Sequence, residues 1–187
     1  VMHGGFDSWI EEFSSWMRFL AARGYDVIAF EGPGQGGALK KQGLVLDWRW
    51  ERPAAAILDH FRLDDVTWLG ISMGGWFCFR AAAFEPRIKR VIASSIAYDY
   101  MKGMNVVLRW LHLWFLERHR NWTNDFTKRA LAKRRTNLEA WMTTNLMEIT
   151  GKNEPMDAFE TWLELNAENL CSDKVSQDVL ILTGRKD

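Results

Sequence analysis

The sequence predicts an α/β fold in which a mostly parallel sheet is flanked by helices and interrupted by a helical insertion. In the first half of the chain, short apolar runs alternate with segments of helical periodicity, which is typical of a parallel sheet with helices on both faces. The alternation then stops, only helical patterns follow, and a strand pattern returns at Val179. We therefore expect a core of residues 1–98 and 176–187 and a helical insertion of residues 99–175.

Length and composition indicate one globular domain that can hold an inserted subdomain. The chain has 187 residues, and 24 basic side chains balance 24 acidic ones. The net charge therefore gives no reason to expect nucleic acid or an anionic membrane surface as a partner. No window offers the ~20 apolar residues of a membrane span. The two cysteines, Cys78 and Cys171, are too few for a disulfide framework, which favours a cytoplasmic location. Composition leaves the oligomeric state open.

The first segment is predicted to form a helix and then a buried strand. Apolar residues recur at helical spacing over residues 9–23, and Gly24 is a typical helix stop. Ser8 and Glu11 have the spacing of a capping box at the start of this helix. The short apolar run of residues 25–30 predicts the strand that follows.

The next loop, residues 31–37, is rich in glycine and follows a predicted strand, as phosphate-binding loops do. A dinucleotide-binding loop opens directly into a helix and is followed by an acidic residue further on. Residues 38–43 do not continue the sequence in that way. We therefore expect a structural turn near the rim of the site and no bound cofactor.

The following elements continue the alternation of helix and strand. Pro53 suits the first turn of a helix that runs to about Phe61 with apolar residues on one face. Residues 66–69 then predict a strand, residues 75–83 a helix, and residues 91–97 the next strand.

A Gly-Ile-Ser-Met-Gly motif, Gly70 to Gly74, lies between a predicted strand and a predicted helix. Glycines at both ends remove the Cβ atoms that would collide where the backbone folds back, so Ser72 can adopt a strained conformation with an exposed hydroxyl. By composition such a motif is expected only ~0.05 times in a chain of this length. The pattern predicts a nucleophile elbow; an ordinary glycine-rich turn is the alternative.

Helical patterns fill the insertion. Residues 106–117 are apolar nearly all round, and two further helices are predicted over residues 138–149 and 156–170. The insertion also holds five tryptophans, of which Trp110 and Trp114 are candidates to line an apolar substrate pocket. At helical spacing, however, such residues more often form the small core of the insertion itself. The five are Trp110, Trp114, Trp122, Trp141 and Trp162.

Four motifs, in order, give the chain a resemblance to the α/β-hydrolase superfamily. His3-Gly4-Gly5 resembles the oxyanion-loop motif of that family, and residues 31–36 resemble the loop after its fourth strand. Residues 70–74 match its nucleophile elbow, and residues 179–187 resemble the strand and turn that deliver its catalytic acid. The resemblance implies an α/β-hydrolase fold with a helical cap and a serine hydrolase that cleaves a small carboxylic ester, thioester or amide.

The resemblance also implies a role for each site residue. Ser72 matches the nucleophile, and the backbone N–H groups of Met73 and Gly5 match the oxyanion hole. Asp187 matches the catalytic acid because it keeps the family's spacing from the preceding glycine. Asp99, after the predicted sixth strand, is the alternative acid.

His3 matches the residue that supports the oxyanion loop by hydrogen bonding.

The catalytic base is missing, because the family order is serine, acid and then histidine, and no histidine follows Asp187. Two strands normally precede the oxyanion loop as well. We therefore expect an internal fragment or a truncated gene product, inactive and prone to aggregation by itself, from a gene that continues to a histidine. No metal site is expected, because ligand spacing is absent. The histidines are His3, His60, His112 and His119.

Two alternatives to a serine esterase remain at this point. One is a non-catalytic member of the same fold that uses its capped cavity to bind a ligand. The other is a hydrolase of carbon–carbon bonds, since residues 31–36 are similar to the corresponding loop of some ring-ketone hydrolases.

Overall fold

The structure is a computed structural model that describes residues 1–95, 98–99, 101–102, 105–133 and 138–184. In the described chain, strands form one parallel sheet in the order β1-β2-β3-β4, which confirms the predicted fold class. The strands are β1 Met2–His3, β2 Val66–Ile71, β3 Ile88–Ser94 and β4 Asp178–Leu182.

Helices connect the strands. The first group lies between the strands β1 and β3, and the second lies between β3 and β4. The first comprises α1 Ser14–Ala21, α2 Gly36–Gln42, α3 Glu51–Phe61 and α4 Gly74–Ala82; the second comprises α5 Val106–Arg118, α6 Arg120–Lys133, α7 Leu138–Thr150, α8 Pro155–Leu163 and α9 Ala167–Leu170. Short 3₁₀ turns occupy Ile10–Phe13 and Ser172–Lys174. None of the described helices is long and apolar enough to cross a bilayer.

The contacts divide the chain into two units. Residues 1–98 and 167–187 form the first, which holds the sheet, and residues 99–166 form the second, which holds α5 to α8. Within the second unit, the side chain of Asn124 on α6 accepts a hydrogen bond from the backbone N–H of Met156 on α8, at 2.9 Å. Arg120 on α6 also pairs with Asp157 and Glu160 on α8. Polar contacts therefore join these two helices.

The helix α4 is the centre of the first unit, and all nine of its residues are buried. It lies against β2 and β3. The ring of Phe77 stacks on Trp50 with centroids 4.0 Å apart, and the buried Trp68 of β2 lies in the same aromatic cluster through His3. Because the helix follows the serine turn directly, its burial fixes the position of that turn.

The opposite face of the sheet is only partly covered. Met2, Phe13 and Leu69 form a small buried cluster there, at the start of α1. A groove of about 860 Å³ adjoins it and extends to β4. The four apolar side chains of β4, Val179 to Leu182, are between 39% and 51% exposed. Among the described strands, β4 pairs with β3 alone.

Several predicted elements differ from the structure. The strand predicted over residues 25–30 is a single bridge between Ala29 and Met2, because β1 is only two residues long and offers no further partner. The capping box is wrong, since Ser8 accepts a hydrogen bond from the Gly5 N–H and caps no helix. The helices α2 and α6 were not predicted. The strand predicted over residues 91–97 is β3, which begins earlier than predicted and runs over Ile88–Ser94. Residues 96–97 lie outside the described residues.

Candidate active site

Ser72 occupies the sharp turn between β2 and α4. Its φ of 59° lies in the left-handed region, which costs a residue with a side chain ~1–2 kcal/mol. Two backbone hydrogen bonds hold this conformation: the Ser72 N–H donates to the carbonyl oxygen of Ser94, and the Gly75 N–H donates to that of Ser72, both at 2.8 Å. The residue is exposed. The strained, open turn that the motif predicts is therefore present.

The glycines of the motif are required by close backbone contacts. A Cβ atom on Gly70 would overlap the carbonyl group of Gly74. A Cβ atom on Gly74 would lie 2.6 Å from the carbonyl oxygen of Gly4, and one on Gly5 would lie 2.7 Å from the amide nitrogen of Met73. Since real Cβ atoms do not approach so closely, glycine allows the His3-Gly4-Gly5 loop to lie directly against the serine turn.

The two amide groups expected to form an oxyanion hole differ in their hydrogen bonding. In the described part of the chain, no group accepts a hydrogen bond from the Met73 N–H, which lies at the N-terminus of α4. The Gly5 N–H instead donates to Ser8 Oγ at 3.0 Å. A substrate oxygen would therefore have to compete with the Ser8 hydroxyl for the second amide.

His3 lies behind this loop and is fully buried among aromatic rings, with Trp50 at 4.6 Å between centroids. Its Nδ1 lies 2.9 Å from the carbonyl oxygen of Gly4. A carbonyl only accepts hydrogen bonds, so Nδ1 carries the proton. Burial lowers the pKa of His3 from 6.5 to about 4, and the ring is neutral at pH 7. The hydrogen bond expected of a loop-supporting histidine is present.

Gln35 was not predicted as a site residue, yet its side chain reaches the same loop. Its Nε2 donates to the carbonyl oxygens of Gly4 and Gly5, at 2.8 and 3.0 Å, and its Oε1 accepts from the Gly32 N–H at 2.9 Å. Only 3% of the residue is exposed. The one available signal in the sequence was a long polar side chain between two glycines.

The glycine-rich loop, residues 31–37, opens directly into a helix, which the sequence of residues 38–43 did not predict. The helix α2 begins at Gly36, but the carboxylate of Glu31 occupies its N-terminus and accepts from the Gly37 N–H at 2.6 Å. The same carboxylate accepts from the Ile10 N–H at 3.0 Å. The loop therefore has a structural role, and a carboxylate of the chain fills the place that a phosphate would take at such a helix end.

No acidic side chain in the described part of the first unit forms a hydrogen bond with Ser72. Asp187 lies outside the described residues. Asp99 belongs to the second unit, where its Oδ1 accepts from the Met101 N–H at 2.9 Å. Among the described residues, no histidine side chain forms a hydrogen bond with Ser72. His60 is exposed on α3, and His112 and His119 are exposed in the second unit.

The tryptophans of the insertion are mostly exposed. On α5, Trp110 is 63% and Trp114 is 51% exposed, and Trp122 and Trp141 are exposed as well. Only Trp162 is half-buried. The preferred interpretation, that they form the core of the insertion, is therefore wrong for four of the five. Whether Trp110 and Trp114 contact a substrate stays a prediction.

Comparison with known proteins gives one family. The alpha/beta hydrolase fold family matches residues 1–187. Hydrolase LUC6 of a Fusarium species is 31% identical over 204 residues, which cover 100% of this chain and 47% of that protein. The 20-hydroxy-prefusarin hydrolase FUS2 of Gibberella moniliformis is 30% identical over 98% of this chain and 46% of its own length. The chain thus spans about half the length of these relatives.

Solved structures show the same fold. The 2,6-dihydroxy-pseudo-oxynicotine hydrolase superposes with a TM-score of 0.64 at 20% identity, over 96% of this chain and 43% of that one. A bacterial membrane phospholipase A superposes with a TM-score of 0.60 at 20% identity, over 98% of this chain and 61% of that one. At such identities the likeness concerns the fold alone.

Proposed function

Because the chain belongs to the alpha/beta hydrolase fold family, we propose that it is a serine hydrolase in which Ser72 attacks the carbonyl carbon of a carboxylic ester, thioester or amide. The observation that carries the proposal is the turn itself. Ser72 is exposed at a φ of 59°, between the end of a parallel strand and the start of a buried helix. The strained backbone of Ser72 leaves its hydroxyl open to an approaching substrate, as a nucleophile requires.

In the proposed reaction, Ser72 Oγ forms a bond to the carbonyl carbon while a base removes its proton. The carbonyl oxygen becomes an oxyanion that accepts hydrogen bonds from the Met73 N–H and, once Ser8 is displaced, from the Gly5 N–H. The carbon–heteroatom bond then breaks, and the base returns the proton to the leaving group. Water releases the acyl group by the same steps in reverse order.

The proposal assigns the role of acid to Asp187, with Asp99 as the alternative, and leaves the base unassigned. Asp187 would hold the imidazole of the base in the tautomer that accepts the serine proton. Asp99 is less suited because one of its carboxylate oxygens already accepts the Met101 N–H.

The substrate is proposed to be a small organic molecule. The relatives are hydrolases, and one of them is named for 20-hydroxy-prefusarin. Trp110 and Trp114 are proposed to contact an apolar part of the substrate, since both are exposed on α5. The carbon–carbon alternative stays open, because the hydrogen bonds of Glu31 explain how the loop is held and not which bond is cleaved.

The second candidate is a non-catalytic, ligand-binding protein of the same fold, in which the Gly5 N–H stays bonded to Ser8 Oγ and Ser72 has no base. A serine without a base reacts slowly. The two candidates differ in whether Ser72 is activated, which can be measured directly.

A fluorophosphonate probe tests the proposal, applied to the protein expressed at its natural length. We expect the probe to label Ser72, identified by mass spectrometry of the peptide, and Ser72→Ala to abolish labelling. Ser95→Ala is the matched control, because Ser95 is also exposed with a positive φ of 61°. A folded wild-type protein that remains unlabelled would favour the binding protein instead.

A further inference from the structure

We propose that Gln35 is a positioning residue that sets the direction of the Gly5 amide in the oxyanion hole. The inference rests on the proposed function, because it assumes that Ser72 is the nucleophile. It starts from the two hydrogen bonds that Gln35 Nε2 donates to successive carbonyl oxygens, those of Gly4 at 2.8 Å and Gly5 at 3.0 Å. One side chain thus holds two consecutive peptide groups.

Holding a carbonyl group also holds an N–H group. In a planar trans peptide, the carbonyl of one residue and the N–H of the next lie in one plane and point in opposite directions. The bond to the Gly4 carbonyl therefore fixes the N–H of Gly5, and the bond to the Gly5 carbonyl fixes the N–H of Phe6. The Gly5 peptide lies against the Met73 amide, as the 2.7 Å approach of a Cβ atom on Gly5 shows.

The Gln35 amide is itself held firmly. Its Oε1 accepts from the Gly32 N–H at 2.9 Å, and its backbone N–H donates to the Gly32 carbonyl at 3.0 Å. Its own carbonyl accepts from the Leu39 N–H at 2.9 Å, within the first turn of α2. The group that holds the Gly4 and Gly5 carbonyls is therefore itself fixed by three hydrogen bonds.

The chemistry of the site selects a primary amide at this position. The environment presents two acceptors and one donor, and only a carboxamide supplies two N–H donors and one acceptor from a single planar group. A carboxylate would place its negative charge against two carbonyl oxygens. His3 also donates to the Gly4 carbonyl, but it makes no bond to that of Gly5. Gln35 is thus the side chain that orients the second peptide.

The first experiment compares Gln35→Met with wild type at natural length. Methionine keeps the length of the side chain and removes both donors. We expect the rate of fluorophosphonate labelling at Ser72 to fall at least ~10-fold, since loss of one oxyanion donor costs ~10²–10³ in kcat. With p-nitrophenyl acetate, kcat should fall while KM changes less than ~3-fold, because the lost hydrogen bonds act on the transition state.

Gln42→Met is the matched control, because Gln42 lies exposed at the other end of the same helix. We expect its labelling rate and kcat to equal those of wild type. Labelling of folded Gln35→Met at the wild-type rate would overturn the inference. Absence of labelling in wild type would instead contradict the proposed function, so the two failures are distinguishable.

A second variant, Gln35→Glu, keeps the test valid if Gln35→Met does not fold. A protonated glutamic acid donates one hydrogen bond, whereas a glutamate donates none. The ratio of the variant's labelling rate to that of wild type should therefore rise as the pH is lowered from 8 to 5. A ratio that stays flat over this range would overturn the inference, because a merely structural role gives no recovery in acid.

Discussion

At the scale of single residues, glycine and neutral histidine make the site possible. Gly5, Gly70 and Gly74 allow three backbone segments to meet at the serine turn, where any Cβ atom would collide. His3 and Gln35 then hold the loop from behind through the Gly4 carbonyl. The serine motif and the His-Gly-Gly turn were recognisable in the sequence. The hydrogen bond from Gly5 to Ser8 was not, because it depends on how residues 5–8 fold rather than on a motif.

The buried His3 makes stability depend on pH. Burial lowers its pKa from 6.5 to about 4 in the folded state. Between these values the unfolded chain binds a proton and the folded chain does not, so stability decreases as the pH falls from 6.5 towards 4. The full contribution is about 3 kcal/mol in the free energy of unfolding, at 1.36 kcal/mol per pKa unit.

Urea unfolding at several pH values measures this effect in the wild type and in His3→Asn. We expect the free energy of unfolding of the wild type to decrease more steeply between pH 6.5 and 4.5 than that of the variant. His60→Asn is the control, since His60 is exposed on α3. Parallel pH dependence of wild type and His3→Asn would contradict a buried neutral histidine.

At the scale of secondary structure, strong apolar patterns were predictable and polar elements were not. The helix α4 was expected at residues 75–83 and is found at Gly74–Ala82, because its apolar sequence is buried throughout. The helices α5 and α7 also lie where their apolar patterns predicted them, although no residue of α5 is buried. The helix α6 is mostly polar, and its ion pairs with α8 depend on tertiary contacts that no local pattern reveals.

The buried ion pair between Arg80 on α4 and Glu51 on α3 provides a test at this scale. Arg80 is 6% exposed and donates two hydrogen bonds to Glu51, at 2.8 and 2.9 Å. Removing one partner leaves a buried charge uncompensated, which typically costs ~3–5 kcal/mol. We expect Glu51→Gln to lower the free energy of unfolding by about 3 kcal/mol, measured by urea denaturation.

The exposed pair between Arg90 and Asp65 serves as the control. Its side chains are 50% and 64% exposed, and surface pairs contribute roughly 0–1 kcal/mol. Asp65→Asn should therefore change the free energy of unfolding by less than about 1 kcal/mol. Equal losses in the two variants would show that burial does not determine the strength of the Arg80–Glu51 pair.

At the scale of the whole molecule, the order of the motifs predicted the family. It predicted the position of the nucleophile and the oxyanion loop, but not that of the acid and the base. The elbow, the oxyanion loop and the glycine-rich loop lie together in the first unit, because β1, β2 and α2 bring their ends to one edge of the sheet. The acid and the base could not be placed in the same way. Asp187 lies outside the described residues. His60 and His112 are exposed on helices, His119 is exposed between α5 and α6, and none of the three forms a hydrogen bond with Ser72.

The central claim is that Ser72 forms a covalent acyl intermediate, and trapping that intermediate tests it most directly. The protein at natural length is mixed with p-nitrophenyl acetate, quenched in acid, digested and analysed by mass spectrometry. We expect the acetyl group on Ser72, no acetylated peptide in Ser72→Ala, and unchanged acetylation of Ser72 in Ser95→Ala. An acetyl group on another residue, or unchanged turnover in Ser72→Ala, would contradict the account.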